Sequence, residues 1–231
     1  MTLPAPYYNH AGITIYHADC RDILPHLEPV DLVLTDPPYN IGYHYESYDD
    51  NLPEPDYLKL LSLIKTPAVL IHYPEQTINL LPRVLGPCDE TISWIYHNPL
   101  PVVKDFRLVS WWGVKPDLTR VREPYANATL SDKRARGKHH QDGKGVRDWW
   151  LIESVRYPCH ENTDHPCQIP TSLMQRIMKV TDGQSILDPF MGSGTTLVAA
   201  KQLGRKAIGI EIEEKYCEIA VRRLAQEVLP L

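Results

Sequence analysis

The sequence predicts an α/β fold built on a doubly wound parallel sheet. Short apolar runs that suit strands alternate with stretches of helical length at both ends of the chain. A strand at 185–187 leads through a glycine-rich turn into a helix. Proline makes up 21 of the 231 residues, which argues against an all-helical bundle because proline breaks helix interiors. The length fits one domain over 1–231.

The first half of the chain contains four predicted strands and two predicted helices. The second strand stops where Asp36 is followed by two prolines, since proline cannot continue a central strand. The strands cover 13–17, 31–35, 68–72 and 91–96, and the helices cover 56–65 and 75–85. Strands that alternate with helices indicate a parallel sheet.

The alternation of predicted strands and helices is interrupted between 98 and 166 and resumes after that segment. A strand is predicted at 108–114. The stretch 116–148 is polar, basic and rich in turn residues, which predicts an inserted region that contacts a binding partner. From residue 171 onward the pattern predicts helices at 172–180, 195–203 and 213–227, with strands at 185–187 and 206–210.

The segment Asp188-Pro-Phe-Met-Gly192-Ser-Gly194-Thr-Thr forms the glycine turn. Glu211 ends the next strand, 19 residues after Gly192. This order is typical of a nucleoside-binding βαβ unit, in which glycines admit the ligand and the acid accepts hydrogen bonds from ribose. The alternative is a tight turn with an incidental surface glutamate. The turn lacks the third glycine of a dinucleotide site, which favours a nucleoside without phosphates, such as S-adenosylmethionine.

The segment Asp36-Pro37-Pro38-Tyr39 follows a predicted buried strand, where ligands of open α/β sheets bind. Its two prolines stiffen the loop. The Asp36 carboxylate and the Pro37 carbonyl can each accept one N–H of an exocyclic amino group, and Tyr39 can stack on a planar base. The alternative is a strand-ending turn with a buried tyrosine.

Together the two motifs resemble those of the β class of S-adenosylmethionine-dependent DNA amino-methyltransferases. The Asp36 motif precedes the Asp188 motif by 152 residues, so the catalytic half comes first and the cofactor half last. The segments 17–20, 148–152 and 164–170 also resemble that family. Two positions depart from it: the family usually has a lysine at Ile169, and 106–115 lacks its usual His-Glu pair, so we assign no role there.

The resemblance implies a Rossmann-like, seven-stranded methyltransferase sheet with a small basic recognition region. It implies that the catalytic set is Asp36, Pro37, Pro38 and Tyr39. It further implies that the cofactor S-adenosylmethionine is bound by Asp19, Cys20, Asp188, Phe190, Gly192, Ser193, Gly194, Thr195 and Glu211, with Asp19 and Cys20 beside the adenine and Glu211 on the ribose. The expected reaction is direct in-line methylation of the N6 amino group of a flipped-out adenine in DNA.

A basic stretch at 133–147 carries six basic residues and one acid, against a net charge of −5 for the whole chain. As a phosphate-contacting arm it would bind double-stranded DNA through Lys133, Arg134, Arg136, Lys138, Lys144 and Arg147. The alternative is a solvated loop.

The cysteines, histidines and tryptophans of the chain exclude several other kinds of protein or site. Five cysteines at irregular spacing do not form a disulfide framework, and no segment resembles a signal peptide or membrane span, so we expect a cytoplasmic protein. Cys159, His160, His165 and Cys167 lack the spacing of a zinc knuckle, so we expect no metal. The pairs Trp111-Trp112 and Trp149-Trp150 suit the core better than base stacking.

Several functional alternatives stay open. Cytosine-N4 methylation uses the same loop chemistry, although aspartate at the first position favours adenine; methylation of an RNA base or a protein amide would favour asparagine there. A DNA-binding module without turnover is a rival of another class. A homodimer would extend the footprint of so small a recognition region, and a partner restriction nuclease is compatible with the same motifs.

Overall fold

The computed structural model describes residues 3–43, 48–96, 106–121, 149–155, 161–163, 165 and 167–226. In these residues nine strands form one sheet: β1 (Tyr8–His10), β2 (Ile13–His17), β3 (Leu32–Thr35), β4 (Ala68–His72), β5 (Glu90–Ile95), β6 (Phe106–Trp112), β7 (Trp149–Leu151), β8 (Ser185–Asp188) and β9 (Lys206–Glu211). The helices are α1 (Cys20–Ile23), α2 (Glu54–Leu61), α3 (Pro74–Asn79), α4 (Leu81–Leu85), α5 (Thr171–Val180), α6 (Thr195–Gln202) and α7 (Glu214–Ala225), with 3₁₀ turns at Leu24–His26 and Leu118–Arg120.

The strand order is β1-β2-β9-β8-β3-β4-β6-β5-β7. The five central strands from β2 to β4 run parallel, whereas β6 is antiparallel to both β4 and β5. From β3 the chain moves outward to β4 on one side, and from β8 it moves outward to β9 on the other. The topological switch point of the sheet therefore lies between the neighbouring strands β3 and β8, and ligands of doubly wound folds bind beyond the strand ends at such a point.

Two apolar layers cover the sheet because successive strand residues face opposite sides. Leu32 and Leu34 of β3 pack with helices α5, α6 and α7 on one face. Val33 packs with α1, α2 and α4 on the other face. Both faces of the central strands are thus buried, which explains why β3 and β4 read as continuous apolar runs in the sequence.

The predicted fold class is confirmed, with two corrections. The sheet has nine strands in the described residues rather than seven, because the three-residue strands β1 and β7 add to its two edges. The helix predicted at 75–85 is two helices, α3 and α4. They meet at Leu80, where Pro82 in the first turn of α4 cannot donate the backbone bond that a continuous helix needs.

The structure also bears on three predictions about β6, the inserted region and membrane spans. Strand β6 begins and ends two residues before its predicted bounds. The inserted region predicted at 116–148 is described only as far as residue 121. No helix in the described part of the chain is long and apolar enough to cross a membrane.

The two ends of α6 generate a stability prediction. Gly194 precedes α6 with φ +78°, and a Cβ there would lie 2.6 Å from the Cβ of Ala220. Gly204 follows α6 with φ +67° and has open space around it. Gly194→Ala should therefore cost about 3 kcal/mol of unfolding free energy, from strain plus overlap, and Gly204→Ala about 1 kcal/mol from strain alone. Urea unfolding measures both; equal losses would contradict the close packing at Gly194.

Candidate active site

The two sequence motifs meet at the switch point. Thr35 ends β3 and Asp188 ends β8, and the buried Thr35 hydroxyl donates a 2.6 Å hydrogen bond to the Asp188 carboxylate. Beyond these strand ends the two loops line one cavity of about 180 Å³. Twelve of the thirteen residues predicted as catalytic or cofactor-binding line it: Asp19, Cys20, Asp36, Pro37, Pro38, Tyr39, Asp188, Phe190, Gly192, Ser193, Thr195 and Glu211. Gly194 lies behind the lining, packed on Ala220.

Side chains of α2 and α3 hold the backbone of the loop at 36–39 through hydrogen bonds. The Tyr57 hydroxyl donates to the Pro38 carbonyl at 2.7 Å, and the Gln76 amide donates to the Tyr39 carbonyl at 3.3 Å. The Gln76 amide also donates to the Tyr57 hydroxyl at 3.0 Å. Between described residues, no hydrogen bond engages the Pro37 carbonyl. Two carbonyls of the loop are thus held, while the one proposed to contact an amino group is not used by the fold.

Asp36 is a mostly buried carboxylate with two partners. The Tyr39 hydroxyl donates to one of its oxygens, and an Nη of Arg107 lies 3.3 Å from the other. Burial raises the pKa of Asp36, while the Arg107 charge and the Tyr39 hydrogen bond pull the pKa down. The carboxylate can accept further N–H groups because each oxygen has two lone pairs.

Arg107 is the main site residue that the sequence did not reveal. It lies on β6, directly opposite Trp94 of β5, and its guanidinium lies 5.3 Å from the ring centroids of Tyr39 and Tyr73 and 5.7 Å from that of Trp94. Its side chain is only 13% exposed. This segment lacks the His-Glu pair that is usual in the family, so we assign it no role on sequence grounds, and no local pattern marks a single arginine on a strand as part of a site.

A buried acid shapes the segment that follows the loop. Asp50 is 2% exposed and accepts backbone N–H groups from Asn40, Ile41 and Tyr43 at 2.9 to 3.1 Å. Asn40 adopts φ +56°, and its side chain bonds the backbone of Leu52 at both its oxygen and its nitrogen. Ile41 is 67% exposed and lines the cavity, so this turn carries an apolar side chain at the rim of the site.

The glycine turn and Glu211 are joined directly. The backbone N–H groups of Gly192 and Glu213 each donate to one oxygen of Glu211, at 2.9 Å in both cases. Burial raises the pKa of Glu211 to about 7, although these two hydrogen bonds favour its charged form. Glu211 therefore lines the cavity with both oxygens positioned and with lone pairs left for hydroxyl donors.

Two further residues hold the turn in shape. Arg223 reaches back from α7 and donates to the Ser193 carbonyl and hydroxyl and to the Thr195 hydroxyl, at 2.8 to 3.1 Å. His165 packs against Gly192, where an added Cβ would come within 2.7 Å of its ring, and stacks edge-on against Tyr216. Neither role follows from local sequence, since Arg223 lies 30 residues beyond Ser193.

The remaining wall of the cavity comes from α1. Asp19 caps this helix, accepts from the Arg21 backbone at 2.8 Å and pairs with the Arg21 guanidinium. Cys20 is 6% exposed and its pKa is raised to about 12 by burial, so it is a neutral, apolar wall at ordinary pH. Six acidic residues line the cavity: Asp19, Asp36, Asp50, Asp188, Glu211 and Glu213. The site is thus built for a ligand with positive charge or many hydrogen-bond donors.

The structure bears in different ways on the predictions for the tryptophans, the Cys and His residues and the basic stretch. Trp111, Trp112 and Trp150 are at most 1% exposed, so they belong to the core. Among the described residues, no three His, Cys, Asp or Glu side chains are placed so that they could hold a metal ion, and Cys159 and His160 lie outside the described residues. The proposed DNA-contacting residues Lys133, Arg134, Arg136, Lys138, Lys144 and Arg147 also lie outside them.

The buried acid at the centre of the site generates a pH prediction. Burial raises the pKa of Asp188 to about 6, so the folded protein keeps a proton that the unfolded chain releases near pH 4. The stability from this group is full below pH 4 and is lost as the pH rises to about 6. Asp188→Asn should remove about 3 kcal/mol of that pH dependence, measured by urea unfolding between pH 4 and 7. Asp56→Asn, on an exposed face of α2, is the control; parallel pH profiles for both variants would contradict the prediction.

Comparisons with known proteins identify the family of the chain. Residues 65–222 match the N6_N4_Mtase family model, described as DNA methylase. The type II methyltransferase M2.DpnII of Streptococcus pneumoniae is 31% identical, over 96% of this chain and 93% of that protein. The DNA adenine methyltransferase YhdJ of Escherichia coli (strain K12) is 29% identical, over 96% of this chain and 85% of that protein.

A solved structure shares the architecture as well. The crystal structure of the M1.HpyAVI-SAM complex superposes with a TM-score of 0.61 at 25% identity, and the match covers 93% of this chain and all of that one. The family model spans more than half of the 231 residues, from just before β4 to the last turn of α7. The chain therefore belongs to the N6_N4_Mtase family of DNA methylases.

Proposed function

We propose that this protein transfers the methyl group of S-adenosylmethionine to the N6 amino group of adenine in DNA. The observation that carries the proposal is the convergence of the two loops on one cavity. The loop with Asp36 and Tyr39 and the turn that is bonded to Glu211 line the same space, and the Thr35–Asp188 hydrogen bond ties their strands together. A group that receives methyl and a group that donates it would thus meet at the switch point.

The residues present fit S-adenosylmethionine. The Glu211 oxygens, fixed by the backbone of Gly192 and Glu213, suit the two hydroxyls of a ribose. The carboxylates around the cavity suit a cation. When bound, this cofactor supplies an electrophilic methyl group on a positively charged sulfur. The backbone at Gly192 has φ +50°, so the turn depends on glycine where it approaches the cavity.

The catalytic work of the chain is to position and polarise an amino group. The lone pair of an adenine N6 is delocalised into the ring, which makes it a poor nucleophile. Asp36 and the Pro37 carbonyl would accept its two hydrogens, so that the nitrogen becomes pyramidal and its lone pair points along the line of transfer. Tyr39 would stack on the base and replace the neighbours that it leaves behind in the duplex. Transfer would leave S-adenosylhomocysteine and a cationic methylated amine beside Asp36, and that amine would release one of its two protons to the Asp36 carboxylate or to solvent water.

Adenine is preferred over cytosine for two reasons. The loop begins with aspartate, as expected for the adenine enzymes of the family, and one relative is named as a DNA adenine methyltransferase. Cytosine-N4 methylation remains an outcome of the experiment below, because its amino group would meet the same acceptors.

The proposal extends to the partners of the protein. Double-stranded DNA would bind along the basic stretch 133–147, while the rest of the chain, with a net charge of −10, repels DNA from other faces. A homodimer would lengthen the footprint, and a restriction nuclease with the same recognition sequence would be a matching partner. A DNA substrate and a reducing compartment together suit the cytoplasm.

The test is product identification. Unmethylated genomic DNA is incubated with the purified protein and S-adenosylmethionine, digested to nucleosides and analysed by mass spectrometry. We expect N6-methyladenine in one sequence context. N4-methylcytosine instead would overturn the base assignment and keep the enzyme class. Absence of both, with the protein folded and DNA bound, would support a non-catalytic DNA-binding module.

Removal of the proposed acceptor should separate catalysis from binding. Asp36→Ala should lower the single-turnover methyl-transfer rate by at least about 10³-fold, because the amino group loses its charged acceptor. S-adenosylhomocysteine should bind with a Kd within about threefold of the unaltered protein's, since the proposed ribose contacts lie elsewhere. Calorimetry and a methyl-transfer assay measure the two quantities, with Asp56→Ala as the control. Near-normal transfer by Asp36→Ala would exclude the assignment of Asp36.

The basic stretch should set the salt dependence of DNA binding. Arg134→Glu combined with Arg136→Glu should weaken binding and reduce the slope of log K against log salt by about 2, since two phosphate contacts are lost. Fluorescence anisotropy with a labelled duplex measures the slope. Arg83 forms an exposed ion pair with Glu54, so Arg83→Glu is the control and should leave the slope unchanged. An unchanged slope in the double variant would mean that the stretch does not contact phosphates.

A further inference from the structure

We propose that Arg107 is a positioning residue for methyl transfer: its guanidinium holds the Asp36 carboxylate charged and oriented to receive the amino group of the base. This inference rests on the proposed function and adds a residue to it. Arg107 reaches the site from β6, on the side of the sheet away from the glycine turn, and it lines the cavity.

The contact itself is a buried ion pair. An Nη of Arg107 lies 3.3 Å from the Asp36 carboxylate, and the two side chains are only 13% and 16% exposed. At this distance and burial the attraction is screened far less than on the surface. The second oxygen of Asp36 accepts from Tyr39, so the carboxylate plane is fixed at both ends before any substrate arrives.

The guanidinium is held in place by aromatic rings. Tyr39, Tyr73 and Trp94 lie 5.3 to 5.7 Å from it, and the Tyr39 and Tyr73 rings lie 4.8 Å apart. Trp94 is itself anchored, because its indole N–H donates to the Ile152 carbonyl at 2.7 Å. Such a cage favours a flat, weakly hydrated guanidinium over an ammonium.

One polar atom in the cage is not used by the fold. The Arg107 Nε is buried and has no hydrogen-bond partner among the described residues. Buried donors are nearly always paired in folded proteins, so an orphan at a cavity wall suggests that the arginine serves the site rather than the fold. Unpaired donors of this kind are tolerated where function requires the side chain.

The charge balance around Asp36 explains what Arg107 contributes. Asp188 from β8, Tyr57 from α2, Cys167 and Tyr39 also face Asp36, and none of them is positively charged. Burial raises the Asp36 pKa and the Arg107 charge opposes that rise. Without Arg107, Asp36 would take up a proton at a higher pH and would lose its capacity to accept from an amino group.

The experiment measures single-turnover methyl transfer against pH, with DNA and S-adenosylmethionine saturating. Arg107→Met removes the charge and keeps an unbranched side chain, and Arg107→Lys keeps the charge without the planar fork. In Arg107→Met the acid limb of the profile should move up by at least about one pH unit, with a rate loss of about tenfold or more at neutral pH. In Arg107→Lys the limb should stay within about half a unit of its original position, although the rate falls.

The control is Arg176→Met, because Arg176 also lies over a tryptophan ring, that of Trp150, yet does not line the cavity. Its profile should match that of the unaltered enzyme. If Arg107→Met fails to fold, Arg107→Gln provides the same neutral comparison. Profiles of the neutral variants that keep the original acid limb, at full rate or uniformly reduced, would overturn the role and leave a structural residue. No transfer by the unaltered enzyme would overturn the proposed function as well.

Discussion

The hydrogen bond between Thr35 and Asp188 is the contact on which the site depends. It joins the ends of the two parallel strands at the switch point, and both of its partners are almost completely buried. Asp188 also accepts from the Phe190 backbone at 3.1 Å, so one carboxylate fixes the direction of both loops as they leave the sheet. Because both strands are buried on both faces, neither loop can move relative to the other without disturbing the core.

Two arginines from other elements of the fold hold the loops that follow these strands. Arg223 holds the glycine turn through three oxygens, and Arg107 holds the catalytic loop through Asp36. Arg107 lines a cavity whose charged groups are mostly acids, and Arg223 supports the glycine turn from behind that lining. The balance matters because uncompensated buried carboxylates would take up protons and lose their capacity to accept hydrogen bonds. In the proposed function, the acidic cavity would receive the cationic cofactor and the basic stretch 133–147 would contact DNA.

The sequence predicted the parts of the site that are local in the chain. Strand, turn, helix and acid follow one another between 185 and 211, and the Asp36 loop follows one buried strand, so their pattern survives in one dimension. The helix break at Leu80 was missed because Pro82 sits inside an otherwise helical apolar pattern. Arg107 and Arg223 were missed for a different reason. Their partners lie 71 and 30 residues away, and only the strand order and the packing of α7 bring them together.

In the proposed reaction, the Asp36 loop would hold a flipped-out adenine beside the cofactor that the glycine turn and Glu211 would bind. A crystal structure with duplex DNA and S-adenosylhomocysteine tests this most directly through one distance, from the exocyclic nitrogen of the target adenine to the nearer Asp36 oxygen. We predict about 3 Å, with the base out of the helix and Glu211 on the ribose. A target base that stays stacked in the duplex, or an amino nitrogen beyond hydrogen-bond reach of Asp36, would contradict the account.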